Sequence, residues 1–519
     1  MSDLLRQSWD VVVIGTGMGG GTLGRALAEA GKKVLFVEKG PAGHRREETP
    51  LSHEIFVPEA RLARGLWPAP MRAKVNGQEQ SFYAPLGAGV GGSSVFYAAT
   101  LERPAPQDLD DSPERPHPTG GWPVSYAHFE PYLARAEAMY HVSGTADPLS
   151  PAPSRALPDP PAMSAVDRVI AQRLRAAGMH PYHLHSALRH LEGCKSCLGF
   201  KCPEPCKMDA RSAGVEPALA TGNAALLHSA EVTRLVGDGQ RISEIELRLD
   251  GETHRLKAPV FVLAGGAFGS PRLCLGSASE AFPQGAANAS GLVGRGLMFH
   301  LNEMFAVWPG VKDGGPSKSV GFRDLLHHDG ARLGMVQAMG IDASYGEILH
   351  YLRLRLARTA FGQKRLVQEA ARLPAAVAAK MLGNAKVFVG LMEDLAYDEN
   401  RVLVASGDEI AFEYRLSDEL LQRRRVFRRA IRKAFKGQRQ MFLSNTPELN
   451  YGHPCGTMRF GDDPKRTVLN GHGRVHELAN LYVADAGFMP SSMGVNPSLA
   501  IAAQALRVAE AILERTDHG

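Results

Sequence analysis

The sequence predicts an α/β protein organised around a Rossmann-like nucleotide-binding domain that the chain enters, leaves and re-enters. Three observations carry this. Residues 10–40 read as strand, glycine-rich turn, helix and strand; residues 263–273 (LAGGAFGSPRL) repeat the strand-then-glycine pattern; and residues 481–485 (LYVAD) read as a buried strand ending in an acid.

In the first stretch, DVVVIGTGMGGGTLGRALAEAGKKVLFVEKG, the apolar run Val11–Ile14 suits a strand buried on both faces. Gly15, Gly17 and Gly20 follow with G-x-G-x-x-G spacing around Met18. The first glycine permits a tight turn, the second lets backbone approach a pyrophosphate, and the third lets the helix pack on the strand. The helix is expected to end near Gly31, a suitable C-cap, and its N-terminal amides face an anion over the turn. A second strand, Val34–Val37, ends at Glu38, 18 residues after Gly20, where a carboxylate accepts hydrogen bonds from a ribose. The unit suits an adenine dinucleotide, and its acid favours FAD or NAD over NADP.

A chain of 519 residues exceeds one ordinary core and divides into two or more domains. A hydrophobic content of 44% and a charged content of 22% belong to a globular protein, and a net charge of +5 is too dilute to indicate nucleic acid. The opening MSDLLRQSWD has no apolar signal core, so a cytoplasmic location is expected. The apolar stretch 373–392 is broken by Pro374, Lys380, Asn384 and Lys386, so no transmembrane segment is expected.

Further along, residues 85–100 (PLGAGVGGSSVFYAAT) hold Gly87, Gly89, Gly91, Gly92 and Ser93, small enough to let backbone pass a large flat ligand, with Phe96 and Tyr97 expected to be buried beside them. Ser125 is placed to cap a helix that carries Tyr132, Ala136 and Tyr140 on one face. Residues 145–163 are Pro-rich and read as a linker. Strands are expected at 242–249 and 258–264, and mixed strands and helices from about 300 to 445 suggest a separate domain. Two stretches there are basic: 351–386 carries eight Lys or Arg against one Glu, and 422–440 forms an amphipathic helix with Phe427, Ile431 and Phe435 at helical spacing. A solvated face explains both, and docking to an acidic partner or anionic lipid is the sharper reading.

Five blocks in order resemble the glucose-methanol-choline (GMC) flavoprotein oxidoreductases: the fingerprint, GVGGSS at 89–94, AGGAFGSPRL from Ala264, HPCGTMRFG at 453–461, and LYVADAGFMPSSMGVNPSLA at 481–500. The resemblance implies FAD rather than NAD, with Asp485 by its ribityl or pyrophosphate part, Val232 near the adenine, and Asn496 and Pro497 at the flavin end. It also implies a second domain on an antiparallel sheet, and a catalytic pair at His453 and Asn496. An imidazole takes the hydroxyl proton, a carboxamide fixes the oxygen, and hydride passes to flavin N5. His300 and His472 are the substitutes for His453. No histidine lies in 85–100, so FAD is expected to be held non-covalently, and Phe96 and Tyr97 look more like the sugar and polyol dehydrogenase branch than the oxidases.

Cys194, Cys197, Cys202 and Cys206 crowd into thirteen positions. Such thiolates suit zinc or an iron–sulfur cluster. Resemblance to FAD-dependent sugar dehydrogenases favours the cluster, with zinc or bare thiols as the alternatives; Lys195, Lys201 and Lys207 are not diagnostic. The expected division is 1–120 (FAD-binding), 121–193 (substrate and linker), 194–210 (cysteines), 211–300 (FAD-binding), 301–445 (substrate) and 446–519 (FAD-binding, with the His and Asn). The reading is an FAD-dependent dehydrogenase of a small-molecule alcohol: sugar, glycoside, polyol, sterol or aryl alcohol. Its partners would be an electron-acceptor protein or small subunit, or a peripheral membrane contact. A peroxide-forming oxidase and a non-catalytic flavin-binding subunit are the rivals.

Overall fold

The computed structural model describes residues 2–46, 57–150, 157–194, 196–311, 318–342, 344–357, 359, 361–362 and 364–517. Part of the Pro-rich linker (151–156) and Lys195 lie outside the described residues.

A five-stranded parallel sheet forms the base of the molecule, in the order Leu481–Val483, Val260–Leu263, Val11–Ile14, Val34–Val37, Ala224–Leu227. The first four of these strands are apolar and fully buried, as a parallel strand covered on both faces requires. One face (Val11, Val13, Phe36) packs under the helices Met18–Glu29 and Ser498–Asp517 through Leu23, Leu27, Val508 and Ile512. The helix comes so close that a Cβ on Gly24 would lie 2.2 Å from the Phe36 ring. Gly31 closes this first helix region with φ 84°, as expected of a C-cap glycine. Ser125 likewise caps Tyr126–Met139 by accepting from the His128 amide.

The second sheet is antiparallel and uses residues between 182 and 449. Its order is Arg439–Phe442, Leu301–Trp308, Lys386–Met392, Gly334–Asp342, Val320–Phe322, Tyr182–His183, with Glu448–Leu449 also beside Leu301–Trp308. The basic helix Asp418–Ala434 lies across it with Phe427 and Ile431 inward, and only a glycine fits below them at Gly390. Its Arg424 and Arg428 turn inward to Glu303, so part of the basic character is structural. The apolar stretch near 373–392 becomes a helix, Arg372–Leu382, followed by the buried strand Lys386–Met392. Among the described residues no helix is long and apolar enough to cross a membrane.

Two features join the sheets. The strand Met71–Val75 pairs with Ile410–Tyr414 in a small sheet that spans the N-terminal and central stretches. In addition, the fully buried Glu102 accepts from Arg323 Nη2 (2.7 Å), Tyr182 Oη (2.9 Å) and the His185 amide (2.9 Å), and its cations and donors outweigh burial to hold its pKa below the ordinary carboxylate value. Glu102 thus stabilises the fold above its unfolded pKa, and that contribution is lost as pH falls through its depressed folded value. Arg323→Met takes the guanidinium from a buried carboxylate and is expected to cost about 3–5 kcal/mol near neutral pH. Urea unfolding checks this, and the difference from the parent chain should shrink in acid as Glu102 protonates.

Candidate active site

A cavity of about 700 Å³ lies over the carboxyl ends of the parallel strands, where Ile14, Val37 and Leu263 meet the turns that follow them. It is lined by Gly15, Gly17, Met18, Glu38, Gly92, Ser93, Val232, Ala264, Asp485, His453, Asn496 and Pro497, which span most of the sequence. Gly20 and Gly89 stand behind the lining. A Cβ on Gly20 would lie 2.2 Å from the Gly15 carbonyl oxygen, so its service is the close packing of helix on strand. The Gly89 carbonyl oxygen lies 3.4 Å from Thr16 Oγ1.

Gly15 is left-handed at φ 106°, which a side chain rarely tolerates. A Cβ on Gly17, by contrast, would meet no protein atom within 4 Å: it faces open space on the lining, where a phosphate has room to approach. Glu38 is buried, and its oxygens accept from Thr16 N (3.1 Å), Thr16 Oγ1 (2.6 Å) and Gly40 N (3.0 Å). Burial raises its pKa, those donors oppose the rise, and lone pairs remain for a ribose. Thr16 Oγ1 also accepts from the Gly91 amide (3.1 Å), tying the fingerprint to the second glycine run.

That run forms a short 3₁₀ turn, Gly92–Phe96, pressed against Gly17. Phe96, Tyr97 and Ala98 are half-buried rather than enclosed, because one side of each lines the cavity. Asp485 accepts from Ser270 Oγ (2.5 Å), Gly266 N (2.9 Å) and Gly487 N (2.8 Å), so it fastens the AGGAFG turn to the C-terminal strand from within the lining.

At the other part of the cavity stands His453. Its Nδ1 lies 3.2 Å from His300 Nδ1 and 3.2 Å from the Asn450 amide nitrogen, whose amide oxygen is held by the Gly452 N–H. His300 is fully buried, and its Nε2 lies 3.0 Å from the Met493 carbonyl oxygen. A carbonyl only accepts, so His300 carries its proton on Nε2 and presents a lone pair at Nδ1. His453 Nδ1 cannot donate to His300 and accept from Asn450 at once. Leaving the buried His300 lone pair unmet costs about 1–3 kcal/mol, whereas half-buried Asn450 can turn to water. His453 therefore protonates Nδ1 and leaves Nε2 as a free acceptor.

Both rings are held neutral. Burial brings His300 down to about 4, and burial together with the neighbouring His300 takes His453 well below its ordinary value. Met493, whose carbonyl accepts in this arrangement, is itself left-handed at φ 62°. Its loop is pinned by Asp394, whose amide donates to Ser492 Oγ (2.8 Å) and whose carboxylate takes the Phe299 amide and the Tyr414 hydroxyl. Asn496 follows on the same loop, 8% exposed, with no hydrogen-bond partner for Oδ1. A buried carboxamide oxygen on a cavity wall is one that a bound molecule completes. Of the two substitutes, His300 is buried behind His453 and outside the cavity lining, and His472 is exposed and also absent from the lining. Asn450 was not singled out by any sequence motif.

The cysteines lie apart from this lining. Cys194 and Cys206 pair at 2.8 Å between sulfurs, Cys197 pairs with Cys202, and burial leads the causes that raise Cys206 to about 11. Among the described residues no three Cys, His, Asp or Glu side chains converge as a metal-ligand set. The expected iron–sulfur or zinc centre is thus not supported: the spacing brings the thiols near one another but in pairs. The segment is instead anchored by Lys207, fully buried, which donates to the carbonyls of Val95 (2.7 Å), Cys197 (3.0 Å) and Phe200 (2.5 Å).

A glycine cradle with open space at Gly17, an unmet amide oxygen and a neutral imidazole in one cavity define a dinucleotide-dependent oxidoreductase, and the residues present fit FAD. The chain belongs to the GMC oxidoreductases: that family's N-terminal domain matches residues 10–302 and its C-terminal domain residues 396–505. Members of this family bind FAD and act on CH–OH groups. The chain is 30% identical to paromamine 6'-oxidase of Streptomyces fradiae over 97% of its length and 91% of that protein's. It is 27% identical to the fructose dehydrogenase large subunit of Gluconobacter japonicus over 99% of each chain. Formate oxidase shares the fold, with a TM-score of 0.69 and 16% identity over 98% of this chain and 99% of that one.

Two neighbouring glycines separate folding from binding. A Cβ on Gly19 would fall 1.5 Å from the Ala484 carbonyl oxygen, so Gly19→Ala is expected to destabilise the apoprotein by about 1–3 kcal/mol through overpacking, seen as a lower melting temperature. Gly17→Ala should leave apoprotein melting unchanged while reducing FAD content, read from the flavin absorbance of the purified protein.

Proposed function

We propose that this enzyme is a dehydrogenase that oxidises a hydroxyl group of a sugar or polyol to a carbonyl and passes the electrons to an acceptor other than oxygen. The observation that carries the chemistry is the His300–His453 contact, which leaves a neutral imidazole nitrogen, His453 Nε2, as the free acceptor in the cavity. That nitrogen takes the hydroxyl proton of the substrate. Asn496 holds the substrate oxygen with its carboxamide and so sets the carbinol carbon in place. Bound FAD supplies the two-electron acceptor for the hydride leaving that carbon. His300, by accepting a hydrogen bond from the Nδ1–H of His453, keeps the ring in one tautomer and disperses the charge that builds on it.

The substrate class rests on the near full-length relatives, whose names specify paromamine, 2-methyl-1,2-propanediol and fructose. The preference for an acceptor other than oxygen rests on the dehydrogenase relative and on Phe96 and Tyr97 at the Gly92–Phe96 turn in the cavity lining.

His453→Ala is expected to purify yellow and FAD-loaded but to lose anaerobic flavin reduction by about 10²–10⁴-fold. Bleaching at the parent rate would reject His453 as base; bleaching of the parent by no sugar or polyol in a panel would reject the substrate class. Hydrogen peroxide formed in air in proportion to turnover would favour the oxidase reading. The pH dependence follows from the depressed His453: reduction should hold steady below the ordinary histidine pKa and fall only in more acid solution, as Nε2 is protonated. A stopped-flow pH profile measures this.

A further inference from the structure

We propose that the helical excursion 345–382 docks the enzyme on an anionic lipid surface. It connects two neighbouring strands of the antiparallel sheet, Gly334–Asp342 and Lys386–Met392, through helices Tyr345–Leu356, Arg365–Ala370 and Arg372–Leu382. A hairpin of a few residues would have joined these strands. The last helix reverses the usual arrangement of a globular surface helix. Its inward side is built from Ala371, Ala375 and Leu382, while Leu373, Val377 and Met381, four residues apart, stand out 75%, 52% and 62% exposed. Leu366 (85%) and Phe361 (66%) extend the same excursion outward. Six of the eleven large apolar side chains exposed among the described residues fall between 345 and 381, so the feature is concentrated rather than scattered.

Charge selects the occupant. Lys364, Arg365, Arg372 and Lys380 are exposed along the stripe, and Glu369 is the sole acid in 364–382. Lys364 Nζ sits 4.8 Å from the Phe361 ring centroid, so this cation and this aromatic share one place. At the far end, Trp308 Nε1 donates to the Leu382 carbonyl (2.9 Å) and carries the Arg439 guanidinium 4.3 Å above its ring. Arg432, exposed and 5.0 Å from the ring of Phe442 on the strand that carries Arg439, adds a further cation. Apolar side chains on a short helix, bordered by cations and a tryptophan, match the acyl and headgroup layers of a bilayer surface. The excursion lies on a membrane rather than through it.

Co-sedimentation of the FAD-loaded enzyme with phosphatidylcholine vesicles, with and without about one third phosphatidylglycerol, tests this. Binding to the anionic vesicles should exceed the neutral by about tenfold or more and weaken as salt is raised. Leu373→Asp with Met381→Asp should abolish binding to both, whereas Arg365→Glu with Lys380→Glu should remove only the anionic preference. Both variants should keep solution flavin reduction by a water-soluble alcohol, which shows that they fold. Failure of the parent enzyme to bind anionic vesicles, or equal binding by all variants, overturns the proposal. So does concentration-dependent self-association, or capture of an acidic protein, that Leu373→Asp removes while vesicle binding stays nil.

Discussion

One hydrogen bond, from His300 Nε2 to the Met493 carbonyl oxygen, sets the chemistry of the whole cavity. It fixes the tautomer of a fully buried ring, the ring's remaining lone pair claims the Nδ1 proton of His453, and His453 is left with one nitrogen free in a cavity built for a dinucleotide. Burial alone would have made both imidazoles neutral, but neutrality does not say which nitrogen is basic. The carbonyl decides it. Because Met493 is left-handed and its neighbour Ser492 is held by Asp394, the backbone that supplies this carbonyl is specified by the fold rather than by local preference.

The discontinuous course of the chain serves this arrangement. The parallel sheet draws its strands from residues 11–37, 224–227, 260–263 and 481–483, so the phosphate-binding turn and the Asn496 loop both reach its carboxyl edge. The antiparallel sheet then brings in His300 at the foot of the strand Leu301–Trp308, whose Leu301 pairs with Met392, and Asp394 follows just beyond the end of the strand Lys386–Met392. The cysteine segment is joined to the same region by Lys207, whose ammonium bridges it to the Val95 carbonyl beside the cavity lining.

The nucleotide end was legible in the sequence because its parts are local: three glycines, a helix and an acid within thirty residues, each with a steric or electrostatic reason to be there. Strand and helix limits there fall within a residue or two of those expected, as at Val11–Ile14, Val34–Val37 and Ile242–Leu249. His453 and Asn496 were legible through family blocks, and the structure brings both to one cavity. What was not legible depends on distant pairing. His300 lies 153 residues from His453 and was read only as a substitute for it, since no local pattern shows that two rings will meet through Nδ1. Nor does spacing reveal geometry among thiols: four cysteines in thirteen positions come together in two pairs.

The most direct measurement is a neutron structure of the FAD-loaded enzyme near neutral pH. The account predicts a deuteron on Nε2 of His300 and on Nδ1 of His453, with Nε2 of His453 bare and facing the cavity. A deuteron on His453 Nε2, with Nδ1 instead accepting from the Asn450 amide, would contradict it.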